Sequence, residues 1–338
     1  MQKSKSIEIL EHYNKDLVDI RGYINFTTSQ ISETNLMDIT DDKVKEIATN
    51  GWLQYLRFTT YEERMLSKII KDKKYTALEL FNQLDSSNKK QIIDLNIMCQ
   101  MVKSWLKYKQ IYKFDVDTLE MLSNTKQEIT NEIIQNLKLP YDCFFIENEF
   151  DSNDGSIVHT TLVKIRDEAR GREVAFYCFN SGDKKDFKYS YESYKTWEGE
   201  YSEQLKDVYD IDKKFINTMF NMLMYLAQPK LEILKKKSDI KERKTSKSFY
   251  NVAYDENEVG YKLGNAIRNY KIVYERSEST NHKPGGIKKP HLRAGHFHHY
   301  WSGKGRTDLI VKYVEPTFVK GGANTPTLHK VGGKKWKI

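Results

Sequence analysis

Four histidines fall within nine residues (His291, His296, His298 and His299) in the segment PHLRAGHFHHYWSGKGRTDLIVKYVEPTFVK, which runs from Pro290 to Lys320. The whole chain holds eight. Imidazoles at i and i+2 of a strand point the same way, so three chemistries are open. One is a transition-metal site. Zinc takes three or four protein ligands, and no Cys or acidic ligand lies nearby to complete a set, so no metal or cofactor is expected. The second is metal-free RNA cleavage. One imidazole would take the 2′-hydroxyl proton, another would protonate the leaving oxygen, and Arg or Lys would hold the phosphorane charge. The candidates for that work are His296, His298 and Tyr300. The third is binding without chemistry, with aromatic rings stacked on bases and cations on phosphates.

Positioning these residues requires two strands. Composition and alternation predict them at about 295–301 and 308–314, joined by Ser302-Gly303-Lys304-Gly305-Arg306, whose glycines suit a turn. Alternation puts His296, His298 and Tyr300 on one face and Phe297, His299 and Trp301 on the other. Phe297 and Trp301 are expected on the buried side. The polar ledge is expected to be flanked by Arg293, Arg306 and Lys312. The predicted RNA- or partner-binding set is Lys288, Lys289, His291, Arg293, His296, His298, Tyr300, Trp301, Lys304, Arg306 and Lys312.

Charge singles out the same segment. From His282 to Ile338 there are twelve Lys and Arg against Asp308 and Glu315, leaving 43 basic and 45 acidic residues elsewhere. The net charge of +8 thus sits in the last sixth of the 338-residue chain. Such a field attracts polyanions: RNA, a ribosomal surface or an acidic protein.

The rest of the chain predicts an α+β protein. Residues 1–137 are expected to form a helical region. Asp41-Asp42 can cap a helix ended by Asn50-Gly51, and Leu53 to Ile70 falls at mostly helical spacings. Ile92, Leu95, Met98, Cys99, Val102 and Leu106 make an i, i+3, i+4 stripe. Residues 138–275 are expected to form an α+β core. Short runs across 141–180 (YDCFFIENEF, IVHTTLVKIRDE, EVAFYCFN) predict an antiparallel sheet, and Ile211–Ala227 a central buried helix ended by Pro229. LEILKKKSDIKERKTSK is expected as a solvated helix end or linker. Glu147, Glu149, Asp151 and Asp154 are expected in a solvated turn, and His159 as a structural residue. Residues 276–322 are expected to form the basic His/Trp-rich hairpin module and 323–338 a flexible basic tail.

Several classes are excluded. No run reaches the about 18–20 apolar residues of a membrane span, and the start MQKSKSIEILEHYNKD lacks the apolar stretch of a signal peptide. Cys99, Cys143 and Cys178 lie far apart and are expected to be buried, reduced thiols of a cytosolic protein. No phosphate-binding GxxxxGK[ST], dinucleotide-binding GxGxxG, nucleophile-elbow GxSxG or zinc-binding HExxH motif occurs.

The stretch PHLRAGHFHHYWSGKGR resembles the C-terminal signature of a protein family carried by phages and plasmids, roughly PHxRRGHWHxYWxG, a basic or aromatic strand, a proline and FVN. Pro290, His291, Arg293, Gly295, His296, His298, Tyr300, Trp301 and Gly303 match it as they stand. Ala294 replaces the second arginine, Phe297 the tryptophan, Tyr313 a later tryptophan and Lys320 the final asparagine. Upstream, LPYDCFFIE, FNMLMYLAQP and VGYKLGNAIRNY are similar to the family's strand entry, apolar helix and Gly-containing helix, so the resemblance spans about 90–320. One branch of that family acts as an anti-CRISPR against type V-A systems, lowering expression of the effector nuclease.

The resemblance implies an inhibitor encoded by a mobile element and acting in the cytoplasm of a bacterial host. Its partners would be a protein target, such as the effector or its nascent chain, and RNA or the ribosome, with no membrane. The body would recognise the target, and the hairpin would engage RNA and promote loss of the target's message. Two rivals stand beside this reading: a stand-alone metal-independent endoribonuclease, and a protein-binding inhibitor whose hairpin is structural.

Overall fold

A computed structural model describes residues 3–16, 18–30, 42–55, 76–84, 86–151, 156–181, 187–205, 210–243, 246–278, 291–293, 295–306 and 308–319. Among them is one large mixed sheet. Its strands are β1 (Gln110–Phe114), β2 (Cys143–Ile146), β3 (Phe150–Asp151), β4 (Ile157–Glu168), β5 (Gly171–Ser181), β6 (Phe187–Lys195), β7 (Ile233–Lys237) and β8 (Asp255–Val259). The order is β6-β5-β4-β2-β1-β8-β7, with β3 added on β4. β1 runs parallel to both β2 and β8; the other pairs are antiparallel.

Helices cover both faces of this sheet, which explains why its central strands are continuously apolar rather than alternating. On one face lie α1 (Lys5–Asp16), α2 (Ile20–Gln30), α3 (Asp42–Tyr55), α4 (Ala77–Gln83) and the long α5 (Ser86–Tyr108). Their core takes Cys143 and Phe145 from β2 and Ala175, Tyr177 and Phe179 from β5. On the other face lie α6 (Val116–Ser123), α7 (Asn131–Asn136), α8 (Tyr201–Gln204), α9 (Asp210–Leu226) and α10 (Tyr261–Glu278). That core takes the alternate residues, Phe144 and Ile146 from β2 and Val174, Phe176 and Cys178 from β5. The expected central helix is α9, with Ile216, Met219, Phe220, Met222, Leu223 and Leu226 buried. The three cysteines are free thiols and buried. No helix among the described residues is long and apolar enough to cross a membrane.

Four local expectations are corrected. Gln110–Phe114 is a strand inside the region read as helical: Lys109 takes a left-handed φ of 53°, ends α5 and turns the chain straight into β1. Asn50-Gly51 does not stop a helix, since α3 continues to Tyr55; Gly51 instead lets the ring of Tyr23 approach to where a β-carbon would stand 2.8 Å from it. ILKKK forms the edge strand β7, whose lysines are solvated and blunt further pairing.

The fourth correction is Glu147, which is half-buried in a polar knot rather than solvated. Its Oε2 accepts from the Ser4 hydroxyl and, at 3.1 and 3.0 Å, from the Ser6 amide and hydroxyl at the start of α1. Its Oε1 pairs with Lys113 at 3.0 Å. Burial alone would raise its pKa, but Lys113 and the Ser4 and Ser6 hydrogen bonds leave it below the ordinary value. Asp154 and the helical pattern from Leu56 to Ile70 lie outside the described residues. His159 is partly buried beside Glu149, its Nδ1 3.3 Å from Oε1.

Candidate nucleic-acid interface

The two strands expected at the C-terminal end form and pair. β10 (His296–Ser302) and β11 (Asp308–Val314) are antiparallel, with His296 opposite Val314, His298 opposite Lys312, Tyr300 opposite Ile310 and Ser302 opposite Asp308. The flanking β9 (His291–Arg293) and β12 (Thr317–Val319) continue that register, Arg293 opposite Thr317. The two pairs are separate two-stranded ladders in one continuous register, together called the ribbon, with Pro316, which has no N–H to donate, between β11 and β12. At its tip Gly303, Gly305 and Arg306 take φ of 82°, 86° and 56°, and the Arg306 amide returns to the Gly303 carbonyl at 3.1 Å.

One face of the ribbon is an anchor. Phe297, Leu309 and Tyr313 join the core beneath α9. Tyr313 meets Tyr225 edge-on at 5.2 Å and Phe297 at 5.0 Å. Gln228, just past α9, reads the backbone of β11 twice: its Oε1 accepts from the Tyr313 amide at 2.8 Å and its Nε2 donates to the Val311 carbonyl at 3.2 Å. Burial raises the Tyr313 phenol's pKa far above its ordinary range, and its hydroxyl lies 3.4 Å from Met121 Sδ. His299, on the same face, is half-buried near Gln127, with 3.5 Å between Nε2 atoms. Burial and the neighbouring His298 hold its pKa below the ordinary imidazole value.

The opposite face is open, as alternation predicted for His296, His298 and Tyr300. All three are exposed and their rings form a ladder. His296 and His298 have centroids 6.4 Å apart, and His298 and Tyr300 stack at 4.4 Å and 24°. His298 Nδ1 lies 3.3 Å from the His299 carbonyl, which can only accept, so the neutral ring keeps Nε2 as its acceptor. Pairing brings Ile310, Lys312 and Val314 onto the same face. Arg293, Lys304, Arg306 and Lys312 are exposed and have no acidic partner among the described residues. By contrast, Arg166, Arg172 and Arg268 in the body are all ion-paired.

Trp301 departs from expectation. It shares parity with Phe297, but Phe297 is 6% exposed and Trp301 45%. Trp301 is the last residue of that face before the turn and lies outside the core, although Leu309 directly opposite belongs to it. Lys288 and Lys289 lie outside the described residues; His291 is placed on β9 by its backbone. Among the described residues no three His, Cys, Asp or Glu side chains gather as a metal site requires. Sequence reasoning missed Ile310, because only the register sets it beside Tyr300.

An α+β body carrying this ribbon falls, by comparison with family models, in the class of anti-CRISPR proteins directed at type V systems. The chain belongs to the AcrVA2-like family, the anti-CRISPR type V subtype A2 family, whose model matches residues 112–321. That span takes in the sheet apart from the first two residues of β1, together with α9, α10 and the whole ribbon. Among solved structures, one titled "Crystal structure of AcrVA2" aligns over 94% of this chain and 100% of that one, with a TM-score of 0.54 at 15% identity, and so shares the fold. No curated protein matches the sequence.

Proposed function

We propose that this anti-CRISPR protein lowers production of the effector nuclease of a type V-A system, with the ribbon as the surface that engages RNA. The body, built of sheet and helices, takes the protein target, either the effector or its nascent chain. The message or ribosomal RNA then meets the open face of β10 and β11. The observation that carries this reading is an exposed ring ladder, His296–His298–Tyr300, with exposed Lys312 on the same face and exposed Lys304 and Arg306 in the adjoining turn, none of the three having an acidic partner among the described residues. Exposed rings beside positive charge suit a polyanion with π-faces.

The test is capture of partners from lysate of a bacterium making the effector, before and after ribonuclease treatment. The effector's message and ribosomal RNA should copurify with the chain and be released by ribonuclease, while nascent or finished effector stays bound. Recovery of effector protein alone, unchanged by ribonuclease, would overturn the role given to the ribbon.

A further inference from the structure

We propose that the ribbon takes unpaired RNA, seating one base on the outer ring face of Tyr300 at the tip. This deepens the RNA reading above and rests on it. Side chains two apart on a strand repeat every about 6.6 Å. The His296–His298 centroids keep nearly that spacing at 6.4 Å, whereas Tyr300 leans onto His298 until they stack at 4.4 Å. No base fits between those two rings, so the stack can grow only outward. The next position on that face is Ser302, opposite Asp308 at the end of the ladder, and its small side chain cannot blanket a ring. Tyr300 is accordingly 44% exposed, and Ile310, directly opposite, adds an apolar border 43% exposed.

Cations stand where the flanking phosphates would pass. Lys304 and Arg306 occupy the turn immediately beyond Ser302, and Lys312 stands opposite His298 further down the same face. A strand entering over the turn and leaving along β11 would put one phosphate on Lys304 and another on Arg306, a base on Tyr300 and a third phosphate on Lys312. Bases inside a duplex have both faces covered by their neighbours, so they cannot extend this stack. The three cations set a short footprint, near the lower end of the about 4–16 nucleotides typical of single-strand sites.

The experiment uses the full chain and fluorescence anisotropy with a labelled eight-nucleotide poly-uridine strand, a duplex of equal length, and a salt series. The single strand should bind at least about tenfold tighter than the duplex. Tyr300→Ala should weaken single-strand binding about ten- to hundredfold, and Tyr300→Phe, which keeps the ring, should leave it nearly unchanged. Log affinity should fall with log salt at a slope of about −2 for three phosphate contacts. Equal binding of strand and duplex, or an unaltered Tyr300→Ala affinity while Lys304→Gln and Arg306→Gln weaken both ligands, would overturn the stacked-base site and leave RNA binding standing. Binding of neither ligand would overturn the RNA reading itself, and the stacked base with it. Tyr300 is exposed, so its variants should keep the wild-type circular dichroism.

Discussion

Gly295 lies flat against Tyr313: a β-carbon built on Gly295 would stand 1.9 Å from the phenolic oxygen. No side chain fits there unless Tyr313 withdraws from Tyr225 and Met121, the contacts that dock the ribbon. Gly295→Ala should therefore cost about 1–3 kcal/mol, as overpacking typically does. Urea denaturation checks the loss, and the double variant with Tyr313→Phe, which removes the oxygen, should recover part of it.

Phe297 and Trp301 share parity on β10 but should respond oppositely to truncation. Phe297→Ala removes a core ring and should cost about 3–5 kcal/mol. Trp301→Ala, outside the core, should stay within about 1 kcal/mol of wild type, as surface changes usually do. Equilibrium unfolding of the two variants checks this. Collapse of Trp301→Ala would favour a hairpin whose role is structural.

How far the sequence carried the fold depended on which force dominated locally. Alternation in HFHHYWS and DLIVKYV was enough to place both strands and sort their faces, because one face packs on α9 and the other does not. Alternation states parity, not depth, so it could not say that Phe297 belongs to the core and Trp301 does not. Nor does it state register, which alone puts Ile310 beside Tyr300; Lys312 was already expected beside the ledge. QIYKF escaped notice because a strand buried on both faces has no period of its own, and it follows a helix without a break. ILKKK misled because an edge strand tolerates solvated lysines. Glu147 was illegible for a different reason: its partners Ser4, Ser6 and Lys113 are distant in sequence.

That knot makes Glu147 a stability group for α1. Its carboxyl is held below the ordinary value in the folded chain, so its contribution is full above about pH 4.5 and is lost as pH falls through the folded value. Glu147→Gln should destabilise by about 1–3 kcal/mol at pH 7, since the Ser6 amide and Lys113 lose a charged acceptor. The difference from wild type should shrink as pH falls below the folded value. Guanidinium midpoints at pH 7 and in a series descending from pH 4.5 measure it.

His299 gives the ribbon a separate pH response. Its folded pKa lies below the unfolded value, near 6.5, so the unfolded chain binds the proton more readily. Stability from this group is full above about pH 6.5 and declines as pH falls toward the folded value. His299→Gln should flatten the wild-type decline between about pH 7.5 and 5.5, read from urea midpoints. An identical decline in the variant would assign it elsewhere.

The most direct test of the ribbon as working surface is made in cells that express a type V-A effector. Effector messenger RNA and protein are quantified with the wild-type chain and with the triple variant Tyr300→Ala, Lys304→Gln, Arg306→Gln, both at equal abundance and folded. Wild type should reduce both quantities and the triple variant neither. If the variant reduces them as strongly as wild type, the open face of β10 and β11 plays no part in the inhibition.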